Sequence, residues 1–253
     1  MKRMFLFYLK KLVRCPATYL AALALFLSMV LSIAPFPFPH CWPLYLFQYA
    51  TYIGVAGYFV PVAAALPICY VRHVLQSGGA WQFPLMHSSP RRYALGGLAA
   101  AFLSGALVML LGLLLFFVFV VLTTQGPISF YTSLGNGVTP FELELSGGGQ
   151  FLFRAAVFLT NGAMWAAVAY AASAFVSNQY LCAAVPFVLM IGVSLPMQAL
   201  HWYDLDPMQL QLESDVVYGK DGGVSFLTIY TLTVVVLCGA GFFFRLKRRL
   251  QNG

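Results

Sequence analysis

The chain has 253 residues, of which 61% are hydrophobic and only 8% charged, with 14 Lys and Arg against 7 Asp and Glu. Soluble domains carry about 25% charged residues, so this composition excludes a soluble fold, whose surface needs far more charge. The formal charge of +7 does not indicate a nucleic-acid binder either, because no stretch outside the apolar segments is long enough to fold a basic, aromatic-bearing surface.

In chain order, the first element is a basic amphipathic segment. At 100° per residue, Phe5, Tyr8, Leu9 and Leu12 share one face of Met1–Arg14, and Arg3, Lys10 and Arg14 share the other, with Phe7 the exception. This pattern predicts a helix over residues 1–15 that lies in a membrane interface with its bases toward anionic headgroups. A hydrocarbon core about 30 Å thick is crossed by about 20 mostly apolar helical residues. Six such spans follow, near Thr18–Ala34, Leu44–Val71, Ala94–Leu122, Phe151–Val176, Leu181–Leu200 and Val224–Phe244. The first resembles a signal peptide, but Pro35 follows the small-residue exit site Ser32-Ile33-Ala34 and disfavours cleavage, so the segment is read as a retained span.

The spans carry packing and bending signals. Pro61 and Pro67 in the second, and Pro186 and Pro196 in the fifth, are expected to break or kink their helices. Gly97, Ala101 and Gly105 in the third, and Ala163, Ala167 and Ala171 in the fourth, recur every four residues, a spacing that lets helices approach closely. Packing within the chain is the expected use, with a dimer face as the alternative. Asn161 is a strong polar group well inside the fourth span. None of the spans contains an acid, and their one base, Arg154, is expected to snorkel from a segment end to the interface.

Charge orients the bundle. All seven acids (Glu142, Glu144, Asp204, Asp206, Glu213, Asp215 and Asp221) fall in two loops, roughly 123–150 and 200–223. Twelve of the 14 bases fall at the N-terminus, in the 72–93 loop and in the C-terminal tail, Arg154 and Lys220 being the two elsewhere. Lys and Arg favour cytoplasmic loops. The expected fold is therefore all-α, a single transmembrane domain over 1–253 with six spans and both termini in the cytoplasm, placed in a plasma membrane of bacterial type.

Catalytic chemistry is missing from the sequence. There is no HExxH, no GxSxG and no GxxxxGK[ST]. Gly147-Gly148-Gly149 runs into Gln150, and Gly219-Lys220 into Asp221, so neither forms a phosphate loop. Without acids at membrane depth, a proton relay or carboxylate ion site lacks its usual residues. The five cysteines (Cys15, Cys41, Cys69, Cys182, Cys238) and four histidines (His40, His73, His87, His201) have no metal-ligand spacing, and the odd cysteine count argues against a disulfide framework. The driving energy is expected from outside the chain.

The 72–93 loop is the most specific stretch. It mixes Ser77, Gly78, Trp81, Phe83, Leu85, Met86 and His87 with Arg72, Arg91 and Arg92, a composition suited to a short helix that docks into a groove on a partner. A resting place on the membrane interface is the alternative for its aromatics.

Here the chain resembles the ABC-2 type permease family, the membrane subunits of many bacterial ABC exporters. The resemblance rests on the basic start, six spans with both ends inside, and the Ser77-Gly78 loop. It rests also on the run Ser88-Ser89-Pro90-Arg91-Arg92-Tyr93 leading into Gly96-Gly97, and on the Phe243-Phe244-Arg245 to Arg249 terminus. Two features depart from the family: Leu75-Gln76 stands where an acid often precedes the SG pair, and Pro84 sits inside the expected helix. The resemblance implies that about Ser77–Ser89 forms a coupling helix seated in a separate ATPase subunit. It implies ATP and Mg bound by that partner and no cofactor or enzyme activity in this chain. A second permease subunit, identical or not, would complete the pathway. It also implies short re-entrant helices near His201–Gly223 and a path lined by segments two and five. Tyr45, Gln48, Tyr49, Tyr52, Asn178 and Gln179 are its candidates, and Asn161 of the fourth span is a further one, whose alternative use is a hydrogen bond to a neighbouring helix. So few charges along the path favour a hydrophobic or amphipathic cargo such as a drug, peptide or lipid-like molecule. Two alternatives stay open: a non-transporting immunity or regulatory membrane subunit, and a secondary transporter.

Overall fold

The computed structural model describes residues 2–35, 43–52, 55–79, 89–124, 146–202, 205–208 and 224–251. They form eight helices: α1 (Lys2–Val13), α2 (Pro16–Ile33), α3 (Pro43–Tyr52), α4 (Ala56–Ser77), α5 (Pro90–Thr123), α6 (Gly147–Ala172), α7 (Gln179–Ala199) and α8 (Val224–Gln251). No strand occurs among the described residues. Six of the helices, all but α1 and α3, are long and apolar enough to cross a membrane. Their outer faces expose large apolar side chains, among them Leu27 and Leu31 on α2, Leu114 and Val118 on α5, and Val236 and Leu237 on α8. Such a surface suits a multi-pass membrane protein, whose backbone polar groups must be satisfied within each helix.

Several boundaries differ from those expected. The second apolar segment is two helices rather than one, because α3 ends at Tyr52 and α4 begins at Ala56. The break does not fall at the prolines: Pro61 and Pro67 lie inside α4, and Pro186 and Pro196 inside α7. The 72–93 loop is shorter than expected, since α4 keeps Arg72 to Ser77 and α5 already includes Pro90 to Tyr93. Its 34 residues make α5 about 51 Å long at 1.5 Å per residue, well beyond a hydrocarbon core. The sixth helix continues to Gln251 and takes the basic tail with it.

Helices α4, α5 and α6 pack on one another at the centre. Around them, α2 lies on α4 and α5, α7 mainly on α4, and α8 mainly on α6. The most extensive contact is between α5 and α6, and glycine permits it. A Cβ at Gly105 would meet Ala166 Cβ at 2.7 Å and the Gly162 backbone, so a larger residue would force the helices apart. Gly96 and Gly97 open two neighbouring faces of α5. A Cβ on Gly96 would stand 2.9 Å from Met4 Cβ of α1, and one on Gly97 would overlap the Tyr170 ring of α6. Ala101, Ala163 and Ala167 are buried within the chain.

Two layers of apolar side chains fill the bundle along its axis. One gathers Leu25, Met29, Met109, Phe116, Phe158 and Trp165. The other gathers Tyr8, Leu12, Tyr93, Tyr170, Phe242 and Leu246. The second layer holds α1 and the C-terminal half of α8 at the same end of the molecule.

Candidate functional site

The end of α4 is built to project a loop. Gly78 donates to the Val74 carbonyl at 3.2 Å and Gly79 to that of Gln76 at 3.2 Å. Gly79 takes φ +64, a left-handed conformation open to glycine that terminates helices. The return is equally defined. Ser89 caps α5 by accepting from the Arg92 amide at 3.4 Å, with Pro90 at the first helical position. The connection thus leaves and re-enters through fixed helix ends. Its predicted contact residues Trp81, Phe83, Leu85, Met86 and His87 lie outside the described residues.

Below that connection sits a buried arginine. Arg72 is 4% exposed, one turn and a half before Gly78. Its Nη1 donates to the Tyr93 hydroxyl at 2.6 Å and the Tyr8 hydroxyl at 3.2 Å, and its Nε donates to Ser173 Oγ at 3.3 Å. The guanidinium also faces three rings, Phe242 at 5.1 Å, Tyr170 at 5.8 Å and Tyr93 at 5.9 Å. Tyr170 and Phe242 stack with centroids 4.2 Å apart. One side chain of α4 therefore touches α1, α5, α6, α8 and the residue capping the end of α6. Asp206 is the one acidic residue among those described, and it lies at the far end of α7. The Arg72 charge is met by hydroxyl oxygens and aromatic faces. Burial pushes the Tyr8 phenol well above its ordinary range, against the opposing pull of Arg72; it stays a neutral hydroxyl that can accept this bond.

Neighbouring contacts extend the node. Gln76 Nε2 donates to the Ser173 carbonyl at 3.3 Å, and His73 Nδ1 lies 3.4 Å from that of Ser177. Arg91 covers Phe243 at 6.0 Å, and Arg245 covers Phe175 at 5.7 Å. The bases that sequence grouped by charge are thus brought to one physical end of the bundle. Arg72, read from the sequence as the first residue of the loop, instead lies within α4 and is buried against the bundle. Arg154, expected to reach out to the interface, is 1% exposed and lies two turns into α6. At the opposite end, Asp206 is buried, accepting from Gln198 Nε2 at 2.9 Å and the Met208 amide at 2.8 Å.

The candidate path residues do not form one group. Tyr45 and Tyr49 stand one turn apart on α3, ring centroids 6.5 Å apart, with Tyr45 exposed and Tyr49 half-buried. The side chains of Gln48 and Tyr52 lie outside the described residues. Helix α3 meets α6 through Phe47 and Phe151, 4.6 Å apart, and Asn161 is about 15 Å further along α6. Asn161 is buried, its Nδ2 donating to the Val157 carbonyl at 3.2 Å, while its Oδ1 has no hydrogen-bond partner among the described residues. Asn178 caps α7, accepting from the Tyr180 and Leu181 amides at 2.9 and 3.3 Å. Gln179 Oε1 is buried, without a partner among the described residues.

Two features escaped sequence reasoning. The Arg72 node joins residues distant in sequence; the one available hint was a base placed only one residue beyond an apolar span. Cys69 and Cys182, 113 positions apart, bring their sulfurs within 3.0 Å between α4 and α7. No cluster of metal-binding side chains occurs among the described residues. Searches against family models, curated proteins and solved structures returned no match to this chain.

Proposed function

We propose that this chain is the membrane permease subunit of an ATP-binding cassette exporter, working with a separate ATPase and a second permease subunit. The observation that carries the reading is the anchoring of the 78–89 connection. It springs from the α4 end that holds Arg72 and returns at the α5 end that holds Tyr93, both tied to the same node. A partner that pushes on this connection pushes on α1, α4, α5, α6 and α8 together.

With the basic end in the cytoplasm, the connection faces the ATPase. Trp81, Phe83, Leu85 and Met86 then supply the apolar contact, and Arg91 and Arg92 its charged rim. Helix α1 lies in the cytoplasmic interface. ATP and Mg belong to the partner. Binding at the connection biases the bundle between two arrangements that differ in their contacts with cargo, which is the thermodynamic requirement for coupling. The scarcity of charges in the spans and the missing membrane-depth acids favour a hydrophobic or amphipathic cargo, with Tyr45, Tyr49 and Asn161 as contact candidates.

The test is purification from native membranes in mild detergent. An ATPase is expected to copurify, and the Trp81→Ala, Leu85→Ala double variant is expected to lose both that association and cargo-stimulated ATP hydrolysis. If no ATPase copurifies and the double variant behaves as the parent does, the exporter reading fails.

A further inference from the structure

A groove lies at the basic end, on the outside of the bundle, where α1, α2 and α4 meet. Its volume is about 440 Å³, within the range of small-molecule sites. Lys10, Lys11 and Arg14 line one side, and Phe7, Tyr70 and Val74 are among the apolar walls. A second section of about 230 Å³ shares Pro16 and Tyr70 with it and continues past Leu20 and Leu66 to Tyr180 at the start of α7. The first section thus carries the cations, and the adjoining second section is lined mainly by apolar side chains, with the Gln179 amide and the Tyr180 ring at its far end. Among the described residues no carboxylate lines either section.

The walls are held in place without a ligand. Thr18 Oγ1 donates to the Leu12 carbonyl at 2.6 Å, and the Tyr19 hydroxyl donates to that of Val13 at 2.9 Å. The Tyr19 bond gives the Val13 carbonyl at the end of α1 a partner, the Leu12 carbonyl accepts from the Cys15 amide as well as from Thr18, and the two side-chain bonds tie the end of α1 to α2. Tyr8 and Leu12 anchor one face of α1 in the core, Lys10 and Arg14 lie on the opposite face and Lys11 on the flank, and all three cations are exposed. Lys11 Nζ stands 5.3 Å over the Phe7 ring, which places its charge at the mouth of the groove. A site with clustered cations at the level of a helix end and an apolar trough running along membrane helices matches a molecule with an anionic head and a hydrocarbon chain.

We propose that this groove binds one anionic phospholipid, its phosphate among Lys10, Lys11 and Arg14 and one acyl chain along Tyr70, Leu66 and Leu20. The proposal depends on the membrane-spanning reading and is independent of the exporter reading, since neither an ATPase nor a cargo enters it.

The test is native mass spectrometry of the full chain released from nanodiscs of phosphatidylglycerol or phosphatidylcholine. One retained phosphatidylglycerol is expected, with phosphatidylcholine retained at least tenfold less. Each of Lys10→Gln, Lys11→Gln and Arg14→Gln is expected to weaken retention about five-fold. Val74→Trp, which narrows the groove beside the cations and leaves every charge in place, is expected to weaken it as well. Arg248→Gln, an exposed base at the same end but outside the groove, is expected to change nothing. Equal retention of the two lipids overturns the proposal. So does an equal effect of Arg248→Gln, which would indicate general charge attraction, or no effect of Val74→Trp, which would indicate a headgroup contact without a groove. All the substituted positions are exposed, and an unchanged elution profile and helicity confirm that each variant is folded.

Discussion

Tyr93→Phe removes one oxygen from the Arg72 node and leaves the ring that faces the guanidinium at 5.9 Å. The lost bond is the shortest of the three that Arg72 makes to side chains, at 2.6 Å. A hydrogen bond to a charged group contributes about 1.5–3 kcal/mol. The buried N–H left behind adds to the loss, so the expected destabilisation is at the upper end, about 2–3 kcal/mol. Tyr8→Phe removes a longer bond of 3.2 Å and is expected to cost about 1–1.5 kcal/mol. Arg72→Met is less transparent, because it deletes three bonds and also a buried charge whose desolvation costs several kcal/mol. The informative quantity is therefore the coupling between Tyr93→Phe and Arg72→Met, expected at about 1.5–3 kcal/mol. Reversible unfolding by SDS in mixed micelles, followed by circular dichroism, measures it. If Tyr93→Phe costs as much in the Arg72→Met background as in the parent, the hydroxyl does not bond the guanidinium and the node is refuted. Arg72→Lys keeps the charge but loses the planar fork and the stacking, and is expected to be destabilised nearly as much as Arg72→Met.

Gly97→Ala, whose new Cβ would overlap the Tyr170 ring, is expected to cost about 1–3 kcal/mol, whereas Gly192→Ala, with nothing within 4 Å, is expected to stabilise by about 0.5–1 kcal/mol; the same unfolding assay reads both, and equal signs would contradict the α5–α6 packing. Copper–phenanthroline oxidation of native membranes is expected to join Cys69 to Cys182, whose sulfurs are 3.0 Å apart, and peptide mapping that finds neither residue oxidised to a bridge would contradict the α4–α7 contact. Asn161→Leu removes a buried carbonyl with no partner among the described residues, so bundle stability is expected to be unchanged or up to about 1 kcal/mol higher. If Asn161 touches cargo, transport falls while stability holds; transport at the parent rate removes it from the path.

The helical content was legible because apolar runs of 18 residues or more admit few other folds. The grouping of charge was legible too: Arg91, Arg245 and the α1 bases do gather at one end, where Arg91 covers Phe243 and Arg245 covers Phe175. Helix ends were less so. Ser89-Pro90 is a strong start signal and Gly78-Gly79 a strong stop, yet both lie outside the apolar windows, so a reading by hydropathy made the loop too long. Likewise, the prolines suggested a break inside α4 that the helix does not show, because a proline at membrane depth loses one backbone bond that neighbouring groups can replace.

Composition and periodicity determined what is local: which stretches are helical and apolar, which face of α1 is basic, and which small residues recur every four positions. Those properties need only the chain's own repeat. The tertiary structure decided which distant groups meet. Arg72 reads as a cytoplasmic anchor until α1, α5, α6 and α8 close around it with hydroxyls and rings, and Cys69 and Cys182 read as isolated until α4 and α7 pack. Hydrogen bonds and ring contacts act over a few ångströms in space and carry no signature in sequence separation. For that reason the charge split could be read from the chain, while the Arg72 node at its basic end appeared only with the packed helices.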